Sequence, residues 1–304
     1  MQVAIVGCGA MGSIYAGLLA DAGNSVLVVD GWQAHIDAIR ACGLRVEGAS
    51  GDRTVQVQAY SKALVQQVDL IIIAAKAAQI KDAALEATKL MGPGTVILTI
   101  QNGLGSADIV ADIVGKDRLA VGIAAAFGAS LKAPGHAFHN GMAAVRMGAY
   151  AGLSGSRVED IAALWRGAGF TAEAIENVAV MQWEKLICNV AFSAPCALTG
   201  LTVGEAMDDI NIGPLGLSAS IEAWTIARAR NIPINITDPE AYVHTFGERV
   251  RNARPSVLLD HDMRRKSEID VINGAVPREA IKCCLRAPVN ECLTSLVKYK
   301  EKDF

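Results

Sequence analysis

The chain has 304 residues, 52% hydrophobic and 19% charged, with a formal net charge of −3. That length and balance suit two domains with a substantial core, and the small negative charge argues against a nucleic acid or an anionic membrane as partner. No stretch reaches membrane-spanning length without a charge or a breaker, and an apolar run begins within two residues of Met1, too early for a signal peptide; the expectation is a cytoplasmic protein.

In chain order, Met1 to Val6 reads as a strand, Gly7-Cys8-Gly9-Ala10-Met11-Gly12 as a turn, residues 14–22 as a helix and Val26 to Val29 as a second strand closed by Asp30. Glycines at this spacing have separate mechanical uses. Gly7 makes the tight turn, Gly9 admits a pyrophosphate to the backbone, and Gly12 lets the helix pack close to the strand. The helix N-terminus adds unpaired N–H donors and partial positive charge. Asp30 can accept from both hydroxyls of an adenosine ribose, but it would face the 2′-phosphate of NADP as a like charge. At about 4 Å and an effective dielectric near 20 that repulsion is roughly 4 kcal/mol. NAD is therefore favoured over NADP; the competing reading is that Asp30 only caps the next helix.

Residues 32–42 predict a helix ended by Gly43, and residues 44–47 and 54–59 two strands. Residues 69–76 form a nearly continuous apolar run ending in Lys76, as in a parallel strand buried on both faces. A helix over 77–90, a strand over 95–100 and the sequence Gln101-Asn102-Gly103-Leu104-Gly105 follow. Open α/β sheets bind ligands beyond the carboxyl ends of their strands, where Lys76 and Asn102 both fall. Residues 119–127, 135–139 and 143–148 read as extended segments finishing the sheet, with a helix over 157–168 and a strand over 171–175. His136 and His139 would point to opposite faces of an extended segment, which argues against a metal pair. The seven cysteines, an odd number without C-x-x-C spacing, indicate neither a disulfide framework nor a zinc site.

From Val180 the pattern becomes helical, over 181–198, 213–230, 239–250, 256–274 and 290–300. The predicted fold class is α/β, a dinucleotide-binding domain over 1–176 followed by an all-helical domain over 177–304. Lys185, Asn189 and Ser193 recur every fourth residue along one face of the first long helix, either as solvated surface or as the lining of a pocket. Ser256, Asp260 and Glu268 fall on related turns of the predicted 256–274 helix, and pairing of the two acids with Arg264, Arg265 or Lys266 is their simplest structural reading.

Taken together, G-C-G-A-M-G at 7–12, Lys76, Q-N-G-L-G at 101–105, W-E-K-L-I-C-N at 183–189, R-P-S-V-L-L-D at 254–260, S-E-I-D-V-I-N-G at 267–274 and P-V-N-E-C-L at 288–293 resemble the ketopantoate reductase (2-dehydropantoate 2-reductase) family over nearly the whole chain. The resemblance implies a Rossmann domain joined to a helical domain, hydride transfer between a nicotinamide cofactor and a 2-oxo acid, and a homodimer. It implies Lys185 as general acid and Glu268 as the acid that holds the substrate hydroxyl and orients the lysine. Asn102, Asn189 and Ser256 would hold substrate polar groups, and Lys76 and Asn102 would stand at the nicotinamide end.

Two positions depart from the family pattern. Ser193 stands where members commonly carry a second asparagine, which bears on the identity of the oxo acid. Asp30-Gly31 stands where NADP-dependent members carry an apolar and then a basic residue. Both suit an alternative, an NAD-dependent D-2-hydroxy acid dehydrogenase similar to the D-mandelate dehydrogenases. A 3-hydroxy acid dehydrogenase would also combine a glycine turn with K-x-x-x-N, but its serine-glycine-glycine loop is not evident around 121–130. A non-catalytic dinucleotide-binding protein is the alternative of another class.

Overall fold

A computed structural model describes residues 1–125, 128–141 and 144–304. These form two compact units, Met1–Gln101 with Ser106–Val178, and Asn102–Gly105 with Ala179–Phe304. The chain thus visits the second unit briefly at 102–105 before completing the first.

The first unit contains β1 (Gln2–Val6), α1 (Ala10–Asp21), β2 (Ser25–Val29), α2 (Gln33–Cys42), β3 (Leu44–Gly48), β4 (Arg53–Val55), β5 (Gln58–Tyr60), β6 (Leu70–Ile73) and α3 (Ile80–Thr88). It continues through β7 (Val96–Thr99), α4 (Ser106–Val114), β8 (Leu119–Ala124), β9 (Gly128–Ala133), β10 (His136–Gly141), β11 (Ala144–Ala149), α5 (Gly155–Gly167) and β12 (Thr171–Ala174). Among the described residues an eight-stranded sheet runs β12-β11-β8-β7-β6-β1-β2-β5, parallel except for the β11–β8 pair. Leu70, Ile71, Ile72 and Ile73 of β6 are fully buried, the pattern of a strand covered on both faces. Strand order turns at β1, whose neighbours are β2 and β6; this is the switch point where such sheets open a crevice for a ligand.

The predicted strand over 54–59 is divided. β4 joins β3 in a second, four-stranded sheet ordered β4-β3-β10-β9, whereas β5 crosses to the edge of the large sheet beside β2. The segment at 135–139 likewise belongs to the small sheet as β10, and β9 is a strand the sequence reading did not anticipate. The alternation of β4 and β10 fits one buried face but does not say which sheet supplies it, and β9 does not alternate. α1 packs against the small sheet closely enough that a Cβ on Gly17 would strike the Val46 side chain. The expected segments 119–127 and 143–148 include residues 126, 127 and 143, which lie outside the described residues; the remainder forms β8 and β11 in the large sheet.

The second unit consists of α6 (Val178–Thr199, its first residue in the other unit), α7 (Val203–Asp208), α8 (Ile212–Ala229), α9 (Pro239–Arg249), α10 (Ser256–Asp262), α11 (Ala275–Ile281) and α12 (Pro288–Lys300), with the loop Asn102–Gly105. Its core centres on α6, where Leu186, Ile187, Val190, Ala194 and Ala197 are buried. Pro195 inside this helix has no N–H for the Ala191 carbonyl, and α8 approaches that carbonyl at Gly216, where a Cβ would collide with it. Asn273 donates to the Val190 carbonyl and to Asn290 Oδ1, both at 3.0 Å, and Asn290 donates to the Ala219 carbonyl at 2.9 Å. Among the described residues no helix is long and apolar enough to cross a membrane.

The predicted helix over 256–274 is broken. α10 stops at Asp262, and Arg264 takes a left-handed φ of 49°. The Arg264 N–H bonds the His261 carbonyl at 2.9 Å, and the Arg265 N–H bonds the Asp260 carbonyl at 2.8 Å. This doubly bonded stop is the kind glycine usually makes, formed here by an arginine, so composition did not announce it.

Candidate active site

Register brings the cofactor-type residues to one edge of the large sheet. Val6 pairs with both Val29 and Ile73, so Gly7, Asp30 and Ala74 are the next residues on three adjacent strands. The Gly7 N–H then donates to the Val29 carbonyl and the Ala74 N–H to the Val6 carbonyl, each at 2.8 Å. Gly7 has φ 93°, and a Cβ there would sit 2.5 Å from the Ala75 nitrogen. A Cβ on Gly12 would collide with the Gly7 carbonyl oxygen, whereas a Cβ on Gly9 would meet nothing within 4 Å. Gly7 and Gly12 are thus required by packing, while Gly9 presents open backbone. No side chain caps α1 at Gly9, and its first turn carries no acid. Ala10 and Met11 are partly buried and Cys8 is fully buried; only the Cys8 backbone is therefore suited to a ligand, and burial pushes its thiol up to about 12. The turn therefore leaves the N-terminus of α1 open at Gly9, with no side chain over it.

Behind the turn lies a relay the sequence reading missed. The Gly135 N–H donates to His35 Nδ1 at 2.9 Å, so His35 carries its proton on Nε2 and donates to Ser13 Oγ at 3.2 Å. Ser13 in turn donates to the Cys8 carbonyl at 3.2 Å. Burial lowers the His35 pKa, with Asp30 opposing, which favours the neutral form this relay needs. Asp30 is only partly buried, and its Oδ1 accepts from the Trp32 N–H at 2.8 Å. The carboxylate thus shapes the turn into α2, whose N-cap residue, Trp32, provides no side-chain cap.

Lys76 is exposed, three residues beyond β6, and its carbonyl accepts from the Gln79 N–H at 2.8 Å. The Gln101 side-chain amide stitches this edge by donating to the carbonyls of Ile73 at 2.7 Å and Ala75 at 3.2 Å.

In the second unit, Lys185 on α6 donates to Asn102 Oδ1 at 2.8 Å. Burial pushes the Lys185 ammonium down from 10.5 to about 8, and the Glu268 carboxylate opposes that shift, which puts Glu268 within electrostatic reach of the amine. The loop bearing Asn102 is latched to the segment bearing Glu268. The Leu104 N–H donates to the Val271 carbonyl at 2.9 Å, and Gly103, at φ 76°, lies so close that a Cβ would strike the same oxygen. Arg278 adds bonds to the carbonyls of Leu104 at 3.2 Å and Gly274 at 3.0 Å.

Asn189 is partly buried one turn beyond Lys185, and Ser193 is 4% exposed one turn further, about 12 Å along the axis from Lys185. Ser256 is exposed at the start of α10. Because the helix stops at Asp262, Ser256 and Glu268 do not share a helical face, contrary to the sequence expectation. Asp260 is paired with Arg265 at 3.0 Å, the structural role foreseen for it. The two histidines of β10 have separate partners, Glu47 at 3.3 Å for His136 and Ser50 Oγ at 3.0 Å for His139.

Residues 3–152 match the family model for ketopantoate reductase PanE/ApbA, and residues 177–301 match the model of its C-terminal portion. A 2-dehydropantoate 2-reductase of Pyrococcus horikoshii is 31% identical over 301 residues, covering 99% of this chain and 98% of that protein. A PanE/ApbA family ketopantoate reductase of Ralstonia eutropha superposes with TM-score 0.89 at 30% identity, covering 100% of this chain and 99% of that one. A D-mandelate dehydrogenase solved with NADH and anilino(oxo)acetate superposes with TM-score 0.91 at 25% identity over the same shares.

Proposed function

Since the chain belongs to the ketopantoate reductase family, we propose that it interconverts a 2-oxo acid and a 2-hydroxy acid, with 2-dehydropantoate as the leading substrate and NAD preferred over NADP. The observation that carries the reading is Lys185, bonded to Asn102 Oδ1, with its ammonium lowered to about 8 by burial and Glu268 within electrostatic reach. A bound nicotinamide cofactor supplies or accepts the hydride. Lys185 protonates the carbonyl oxygen in reduction and takes the hydroxyl proton in oxidation; at about pH 8 the amine can do either. Asn102 fixes the lysine, Glu268 accepts from a substrate hydroxyl, and Asn189, Ser193 and Ser256 are the further candidates for the acid's polar groups. Positioning the carbonyl against both donors supplies the proximity contribution to the rate.

Gly7 to Gly12 hold the pyrophosphate, Asp30 the adenosine ribose, and Lys76 and Asn102 the nicotinamide end. The preference for NAD rests on Asp30 and on Gly31, which brings no positive charge for a 2′-phosphate. A second reading, an NAD-dependent D-2-hydroxy acid dehydrogenase, is favoured by the buried Ser193 and by the likeness to the D-mandelate dehydrogenase. The test is initial velocity with 2-dehydropantoate and with an aryl 2-oxo acid, each with NADH and with NADPH. Higher kcat/KM for 2-dehydropantoate with NADH supports the main reading, and preference for the aryl acid supports the second. Preference for NADPH overturns the role of Asp30, as does a D30A/G31R variant that keeps its preference for NADH.

A further inference from the structure

Next to the Glu268 segment a buried carboxylate comes from the far end of the chain. Glu301 is 6% exposed, and its Oε1 accepts from the Ser267 N–H at 2.9 Å and from Ser267 Oγ at 2.5 Å. The same oxygen lies 3.1 Å from Nε2 of the buried His261. Phe304 stands edge-on to the His261 ring at 5.1 Å, and Arg264 donates to the Asp303 carbonyl at 2.9 Å. One oxygen thus ties the last residue of the 263–267 turn to the end of α10. This turn has no regular hydrogen-bonded ladder, since the helix that would have continued through it stops at Asp262. Ser267 is the residue immediately before Glu268, and three residues beyond Glu268 is Val271, whose carbonyl holds the Asn102 loop.

We propose that Glu301 is a positioning residue for the proton-transfer site, holding Ser267 so that Glu268 stands at its working distance from Lys185. The proposal rests on the reading of Lys185 and Glu268 given above. A buried acceptor of three hydrogen bonds is a stiff anchor, and a charged acceptor strengthens each bond. Glu301→Met removes the acceptor at similar length, Glu301→Gln keeps one acceptor oxygen, and Ser267→Ala removes a single bond while leaving the backbone donor in place.

The Lys185 midpoint, followed by NMR of 13Cε-lysine-labelled protein, needs no turnover. Glu268 raises this midpoint, so loss of its position lowers it; Glu301→Met is expected to drop it by about 0.5 to 1 pH unit, with Ser267→Ala in between and Glu301→Gln near the parent. The kcat for 2-oxo acid reduction is expected to fall about tenfold in Glu301→Met, and less than about twofold when the same change is made in Glu268→Gln. A folded Glu301→Met or Ser267→Ala protein with an unmoved Lys185 midpoint overturns the proposal, as does a Glu301→Met effect undiminished in the Glu268→Gln background. If Glu301→Met does not fold, Ser267→Ala alone decides by the same midpoint. Failure of the functional reading itself is distinguishable, because Glu268→Gln would then leave turnover of every oxo acid at the parent rate while the midpoint still reports on Glu301.

Discussion

Replacing Lys185 with methionine should make the protein more stable and nearly inactive. In the folded chain the ammonium titrates at about 8 instead of 10.5. The unfolded chain therefore holds the proton over a window where the folded chain has released it, and stability rises with pH between about 8 and 10.5. Below that window the full penalty applies, about 3 kcal/mol at 1.36 kcal/mol per pH unit. Methionine removes the penalty and also removes the bond to Asn102 Oδ1, worth about 1 kcal/mol. The net gain at pH 7 is about 2 kcal/mol, fading towards pH 10. Urea denaturation at both pH values measures it. Activity should fall about 10²- to 10⁴-fold, the usual worth of a positioned proton donor. In the parent, kcat/KM for reduction should be level below about pH 8 and fall tenfold per unit above it, with oxidation showing the opposite limb. Turnover by Lys185→Met within tenfold of the parent would refute the proton-transfer role, and a loss of stability at pH 7 would refute burial as the cause of the lowered pKa.

Two other predictions separate packing from function. Gly12→Ala drives a methyl into the Gly7 carbonyl and should destabilise by about 1–3 kcal/mol, whereas Gly9→Ala enters open space and should leave the melting midpoint in place while weakening ADP-ribose binding about tenfold by calorimetry; equal effects on stability would show that Gly9 is not reserved for a ligand. Asn273→Leu strips the donor from two buried acceptors, the Val190 carbonyl and Asn290 Oδ1, and should lower stability by about 2–4 kcal/mol in urea denaturation. A change below about 0.5 kcal/mol would mean that the cavity relaxes around the lost bonds.

The parts of this molecule that could be read from sequence are those whose physics is local. The glycine turn announces itself because Gly7 and Gly12 answer to strict geometric demands within a few residues of one another. β6 and β7 do so because burial on both faces leaves an unbroken apolar run. Lys185 was placed by helical spacing and family resemblance, and the structure supplies what spacing cannot, an acceptor 83 residues away in sequence. The small sheet was missed because β3, β4 and β10 carry ordinary half-buried alternation and β9 has no buried face at all, so the choice between sheets is made by long-range register. The break after Asp262 was missed because an arginine does the work usually left to glycine. α7 was missed although its signal was present: Thr202 and Glu205 form a capping box in which each accepts from the other's backbone N–H.

The brief excursion at Asn102–Gly105 bears on recombination among homologues. A crossover at Val178–Ala179 looks like a clean junction between two modules, yet it would take Asn102, Gly103 and Leu104 from one parent and Lys185, Val271 and Arg278 from the other. Four residues in the middle of the first unit's sequence therefore belong with the helical half, and a hybrid that leaves them behind pairs its lysine and its Val271 carbonyl with a loop from the other parent.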